Sequence, residues 1–137
     1  MGVWMPSLNL GFMCSIPSVY EAKPIFFLEA LTVLAAIQLA SSHVSSGGHL
    51  AIFTDNFNSV AMFNTLSALP AYNWILLTAV DVLLTCDLDF CVFYVPGSVN
   101  ILADHLSRGR VADALQLSPS MTISTLTPPG LPNHARP

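Results

Sequence analysis

Apolar positions along this chain fall into blocks whose period changes from one block to the next. Val3-Trp4 and Leu8 to Cys14 are short apolar stretches meeting near Pro6-Ser7, a pattern that predicts a β-hairpin. Ile25 to Ala40 holds good helix formers and no glycine, and Pro24 suits a first helical position. Its apolar residues cover nearly the whole circumference, as expected of a helix buried on most sides. Glu29 stands in its second turn, on one face with Thr32 and Ala36 by spacing. After the loop SSHVSSGG, the segment HLAIFT (49–54) predicts a buried strand. Val60, Phe63 and Leu66 then recur at helical spacing, which predicts a second helix over 56–66. Pro70 ends it, and Ala71 to Cys86 predicts a third helix with Trp74, Leu77 and Leu84 facing the core. LDFCVFYV (88–95) reads as a strand closed by Pro96-Gly97, and Asn100 as the cap of a short helix through Leu106. From 111 onward Pro, Ser and Thr dominate, the composition of a mostly disordered tail.

Strands alternating with helices imply an α/β layered fold with a partly parallel sheet. One domain over 1–110 and a tail over 111–137 follow from the block boundaries.

Composition narrows the classes. The chain is 53% hydrophobic and only 9% charged, so it can fill a core but has few charges to keep its surface wet. Its net charge is −4, and its basic side chains are Lys23, Arg108, Arg110 and Arg136. No basic stripe tracks a phosphate backbone, which excludes strong nucleic-acid binding by this chain alone. Cys14, Cys86 and Cys91 form no CxxC pair. With no signal-peptide pattern, they read as reduced, buried thiols in a cytoplasmic or nuclear, not secreted, setting. A mean hydropathy of +0.64 raises a small membrane protein with two apolar helices, near 25–40 and 71–86. Those runs fall short of the ~18–20 residues of a comfortable span. Each carries an acid, Glu29 or Asp81, flanking Lys and Arg are scarce, and the β-rich segments 49–54 and 88–95 argue against it.

Three acids occupy informative positions. Asp55 ends the strand 49–54, where open α/β sheets place their sites. Glu29 sits on an otherwise apolar helix, where ionisation needs a cation or donors nearby. Asp104 lies one turn inside the helix that follows the second strong strand. Each also has a plain reading: Asp55 as a helix cap, Glu29 as a solvent-facing residue, Asp104 as a favourable charge near a helix N-terminus. His43, His49, His105 and His134 share no metal-ligand spacing with the cysteines. His105 reads as an exposed helix residue, and Trp74 as core rather than as a base-stacking platform with Tyr72. Arg108 reads as a phosphate contact or as a charge at the C-terminal end of its helix.

Three segments taken in order, FFLEALTVLAAI, LAIFTDNFNSV and VFYVPGSVNILADHLSR, resemble the ribonuclease H-like domain of retroelement reverse transcriptases. The last is the most specific: an apolar strand, P-G, two residues, N, three residues, then D-x-L-S-R. The middle one is similar to the family's strand ending in T-D-N or T-D-S, and the first to its glutamate-bearing helix. GVWMPSLNLGF resembles the hairpin found ahead of that helix, so the likeness spans 2–108.

The resemblance implies a mixed sheet flanked by helices and a nuclease cutting the RNA strand of RNA/DNA hybrids. It implies two Mg²⁺ (or Mn²⁺) ions held by four carboxylates, of which Glu29, Asp55 and Asp104 match three. Two such ions about 3.5–4 Å apart activate water on one side and stabilise the leaving oxygen on the other. The fourth acid belongs to a first, central strand ahead of the hairpin, and no Asp or Glu precedes Glu21 here. The expectation is a sheet with its central strand missing, two unpaired edges, and activity lost or very low. An upstream reverse transcriptase segment or another chain would supply that strand. The contrasting expectation is the same fold serving as a non-catalytic interaction module or surviving as a retroelement remnant.

Overall fold

The hairpin forms as Gly2–Met5 (β1) and Leu10–Met13 (β2), joined by a 3-10 turn over Pro6–Leu8 with Asn9 left-handed at φ 51°. The computed structural model describes residues 1–130. Helix α1 spans Ile25–Ser41, with Pro24 at its N-cap rather than inside its first turn. Strand β3 (His49–Thr54) leads to helix α2 (Phe57–Thr65), and a 3-10 turn at Pro70–Tyr72 opens helix α3 (Asn73–Thr85). Strand β4 (Asp89–Tyr94) and helix α4 (Ile101–Ser107) follow.

The tail expected to be disordered is ordered as far as it is described. Val111–Leu117 forms helix α5 and Thr122–Thr125 forms strand β5, which pairs parallel with β2. Composition hid a usable pattern there. Ala114 and Met121 are buried against Leu102 and Leu106, with Ile123 packed beside them. Leu126 is 1% exposed in the main core. Ser and Thr at the intervening positions suit a strand as well as a loop. Asn9 pins the segment, accepting from Ser118 Oγ at 2.7 Å and donating to Ser120 Oγ at 2.8 Å. The end of the predicted tail, 131–137, lies outside the described residues.

The architecture is mixed α/β, with small sheets flanked by helices. There are two sheets, β1–β2–β5 and β3–β4, and no ladder joins them. Helix α1 packs on β1, β3, α2 and α3. Its Ala30, Leu31, Leu34 and Ile37 are fully buried, in one core with Val3, Leu50, Ile52 and Val92. The second face of the β1–β2–β5 sheet is covered by α4 and α5. A Cβ on Gly2 would stand 2.4 Å from the backbone nitrogen of Ser107, so only glycine lets α4 lie this close to β1.

Helix α3 turns a different face inward from the expected one. Ile75, Leu76, Ala79 and Leu83 are buried, while Leu77 and Leu84 are 63% and 77% exposed. Trp74 is half-buried against Phe27, and Tyr72 stacks on Phe26 with centroids 4.7 Å apart, so both rings serve packing. Leu66, expected on the inner face of α2, is its exposed left-handed C-cap. The cysteines are unpaired; Cys91 is exposed rather than buried, and burial pushes the Cys14 thiol up against the opposing pull of the N-terminal ammonium.

The hydropathy of 25–40 belongs to burial inside the protein. Among the described residues no single helix is long and apolar enough to cross a membrane; α2 and α3 meet that condition only jointly, across an 81° bend.

The outer edge of β4 is sealed by a side chain. Asn64 donates to the Val92 carbonyl at 2.7 Å and accepts from the Val92 N–H at 2.9 Å, replacing a neighbouring strand. Removing both bonds leaves a strand amide and carbonyl to water. Asn64→Ala is expected to cost about 1 kcal/mol, read as a shifted urea midpoint at unchanged slope. A midpoint identical to the parent's would show that the seal contributes nothing.

Candidate functional site

Asp55 is exposed immediately beyond β3 and does not cap α2. That role falls to Asn56, whose side-chain oxygen accepts from the Ser59 N–H at 3.0 Å. The aspartate is left free of structural duty, and space is made for it by the turn after β4: a Cβ on Gly97 would lie 3.3 Å from Asp55 Oδ2. Pro96 stops the strand, and its carbonyl accepts from the Val99 and Asn100 N–H groups, bending the chain toward α4.

Asp104 sits in the first turn of α4. Asn100 stands at the N-cap but makes no side-chain capping bond; its carbonyl takes the Asp104 N–H at 3.1 Å. Asp104 Oδ1 accepts from Arg108 Nε at 3.1 Å, an i,i+4 pair with both side chains substantially exposed. Such a pair is worth about 0.3–0.5 kcal/mol. Its larger effect is local: Arg108 is engaged with this carboxylate rather than held for a phosphate. His105, beside it, is only half-exposed, and its Nδ1 is buried without a hydrogen-bond partner.

Glu29, from the second turn of α1, is half-buried. Its carboxyl is raised above the ordinary value, first by burial and next by the negative charge of Asp55. The N-terminal ammonium opposes this, and Asp104 adds a further upward push. Glu29 of α1 therefore lies within electrostatic reach of Asp55, beyond the end of β3, and of Asp104 on α4. This is a site where negative charge is concentrated and only partly compensated, the electrostatic condition that favours a bound cation.

Hard carboxylate oxygens in excess suit a divalent ion such as Mg²⁺ in kind. In spacing they do not: among the described residues no three His, Cys, Asp or Glu side chains are gathered so as to hold an ion. Neither of two shallow surface grooves, one beside Phe26 and Met62 and one beside Leu39 and Pro129, is lined by any of these acids. No protein-family model, curated protein or solved structure matches the chain.

Sequence reasoning missed two local features. The Asn64 seal had no signal, because the partner strand lies 28 residues away. The Arg108–Asp104 pair had one, the i,i+4 spacing within ADHLSR.

Because the folded state raises Glu29, the native chain binds a proton there more readily than the unfolded chain. Stability from this group is fully present below the ordinary carboxyl range and falls as pH rises through the raised value. Glu29→Gln is therefore expected to stabilise the fold at neutral pH, with a gain that shrinks on acidification; urea midpoints across pH read this directly. Asp55→Asn is expected to bring the Glu29 titration, followed by carboxyl-carbon NMR, down toward its ordinary range. An unmoved titration would place Asp55 out of reach of Glu29.

Proposed function

We propose that the chain is a ribonuclease H-like domain of a retroelement reverse transcriptase polyprotein with an incomplete hydrolytic site. The carrying observation is that Glu29 stands in the electrostatic field of both Asp55 and Asp104, three acids contributed by three separate elements. The order of elements supports it: a hairpin, an acid-bearing helix, a strand ending in Asp55, and a strand–Pro-Gly–helix unit bearing Asp104. A sheet divided between β1 and β3 is also what that fold presents where the strand between them is not among the described residues.

The substrate class that goes with this reading is an RNA/DNA hybrid, with Mg²⁺ or Mn²⁺ as cofactor. When bound, the ions supply an activated water and a partner for the leaving oxygen. This chain's own residues contribute three of the four carboxylates, spaced too openly to hold an ion, so no hydrolytic step is assigned to it alone. A cytoplasmic or nuclear setting goes with the same reading.

A non-catalytic interaction module is the second reading. It is favoured by the scarcity of cations among the described residues: of Lys23, Arg108 and Arg110, Arg108 is already paired with Asp104.

The two readings separate when the chain is fused behind a strand ending in Asp and offered a labelled RNA/DNA hybrid with Mg²⁺ or Mn²⁺. The nuclease proposal expects metal-dependent cleavage that is abolished by Asp55→Asn and absent when the added strand ends in Asn. The unfused chain is expected to cut no faster than its Asp55→Asn variant. A folded fusion that fails to cleave would remove the nuclease proposal and leave the interaction module.

A further inference from the structure

The β3–β4 ladder has one inner and one outer face. Leu50, Ile52, Thr54 and Val92 are buried on the side covered by α1 and α2, so the odd-numbered residues of both strands take the other side. The register fixes which of them stand abreast: His49 with Asp89, Ala51 with Cys91, and Phe53 with Phe93. All six are exposed.

The character of this outer face changes along its length. At one end the rings of Phe53 and Phe93 stack with centroids 5.4 Å apart, while 61% and 44% exposed. At the other end His49 Nδ1 lies 3.3 Å from Asp89 Oδ2, both side chains in water. Ala51 and Cys91, small and uncharged, lie between. A one-sided sheet ordinarily turns polar residues to solvent, so adjacent exposed phenyl rings mark a contact surface.

Each row of this face is the complement of itself under a two-fold rotation. With the axis between two such faces and parallel to the strands, every residue keeps its level and β3 of one copy comes over β4 of the other. Phe53 then meets Phe93 of the second copy, His49 meets its Asp89, and Ala51 its Cys91, each contact being made twice. The two Asp89 carboxylates stay apart. An axis across the strands would instead lay phenyl rings on the His49–Asp89 pair. Aligned sheets crossing at about 30° are the ordinary form of such a contact. Other occupants fit less well. Lys23, Arg108 and Arg110 all lie off these strands, which leaves a polyanion no cation here, and the one carboxylate a basic peptide could seek is engaged by His49.

We propose that the outer face of β3–β4 is a self-complementary docking surface for a second copy of this chain, giving a two-fold dimer whose facing strands run in the same direction. The dimer is weak. Phe53 and Phe93 together leave roughly 200 Å² of ring surface to water, on a face two strands wide. That is short of the ~1,200 Å² at which stable interfaces begin, and it places half-association on the order of 100 µM. Glu29, Asp55 and Asp104 take no part, so this inference and the nuclease reading fail separately.

Sedimentation equilibrium of the full chain, over concentrations spanning about 100 µM, tests it. The parent should pass from monomer to dimer. Phe93→Ser should weaken association roughly tenfold or more. Leu84→Ser, which removes a 77% exposed apolar side chain from α3, should change nothing. Asp89→Lys and His49→Asp should each weaken the dimer several-fold, and an equimolar mixture of the two should recover the parent's affinity. In the mixed dimer the remaining His49 faces the remaining Asp89, and the introduced lysine faces the introduced aspartate. Mixing cannot rescue a folding defect, so recovery reads the contact itself. A parent that stays monomeric or grows beyond the dimer would overturn the proposal. So would a dimer that Phe93→Ser leaves intact, one that Leu84→Ser weakens equally, or a mixture that associates no better than its components.

Discussion

Helix α1 is the constraint on which the rest of the molecule depends, because it is the common cover for two sheets that share no hydrogen bond. Burying a side chain such as Leu31, Leu34 or Ile37 contributes roughly 1.5–3 kcal/mol. The surface pair Arg108–Asp104 contributes a fraction of one such residue. What fixes β1 relative to β3 is therefore apolar packing from one side, which is strong but weakly directional. The directional bonds that normally set strand spacing are absent between them.

That asymmetry explains why the acids gather without forming a cage. Glu29 is fixed by α1, Asp55 by the end of β3, and Asp104 by α4, which rides on β1 through the Gly2 contact. Each acid is held by a different rigid piece, and the pieces meet only through the core. Charges at this range still interact, so Asp55 adds to the rise that burial first imposes on the carboxyl of Glu29. Metal ligation asks for tighter placement, to within about 0.5 Å, and a divided sheet does not impose it.

Much of the fold was legible because its signals were local. The apolar run of 25–40, the short β-rich runs of 49–54 and 88–95, and Pro96-Gly97 are each local signals, and the elements fall within two residues of their predicted ends. The tail failed for the opposite reason. Thr122–Thr125 is a strand only because the far side of β2 offers it a ladder, and no count of Pro, Ser and Thr contains that. The inner face of α3 failed for another reason: exposed Asp81, one turn from both Leu77 and Leu84, marks their side as the outer one, a signal outweighed by the helix's many apolar residues. Among the acids, position was legible and duty was not. The text TDN does not tell whether Asp55 or Asn56 caps α2, and the cap decides which of them is free to act.

Freedom from structural duty ties the site to the open edges. A half-buried carboxyl such as Glu29 is tolerated where a proton or a cation compensates it, and an unpaired strand edge where water or another group covers it. Both liabilities occur around one helix here: the strands β1 and β3, each paired along one side, pack under α1, which also carries Glu29. Open backbone edges and a weakly compensated carboxyl are thus two consequences of one division, two sheets held together by packing without a shared ladder.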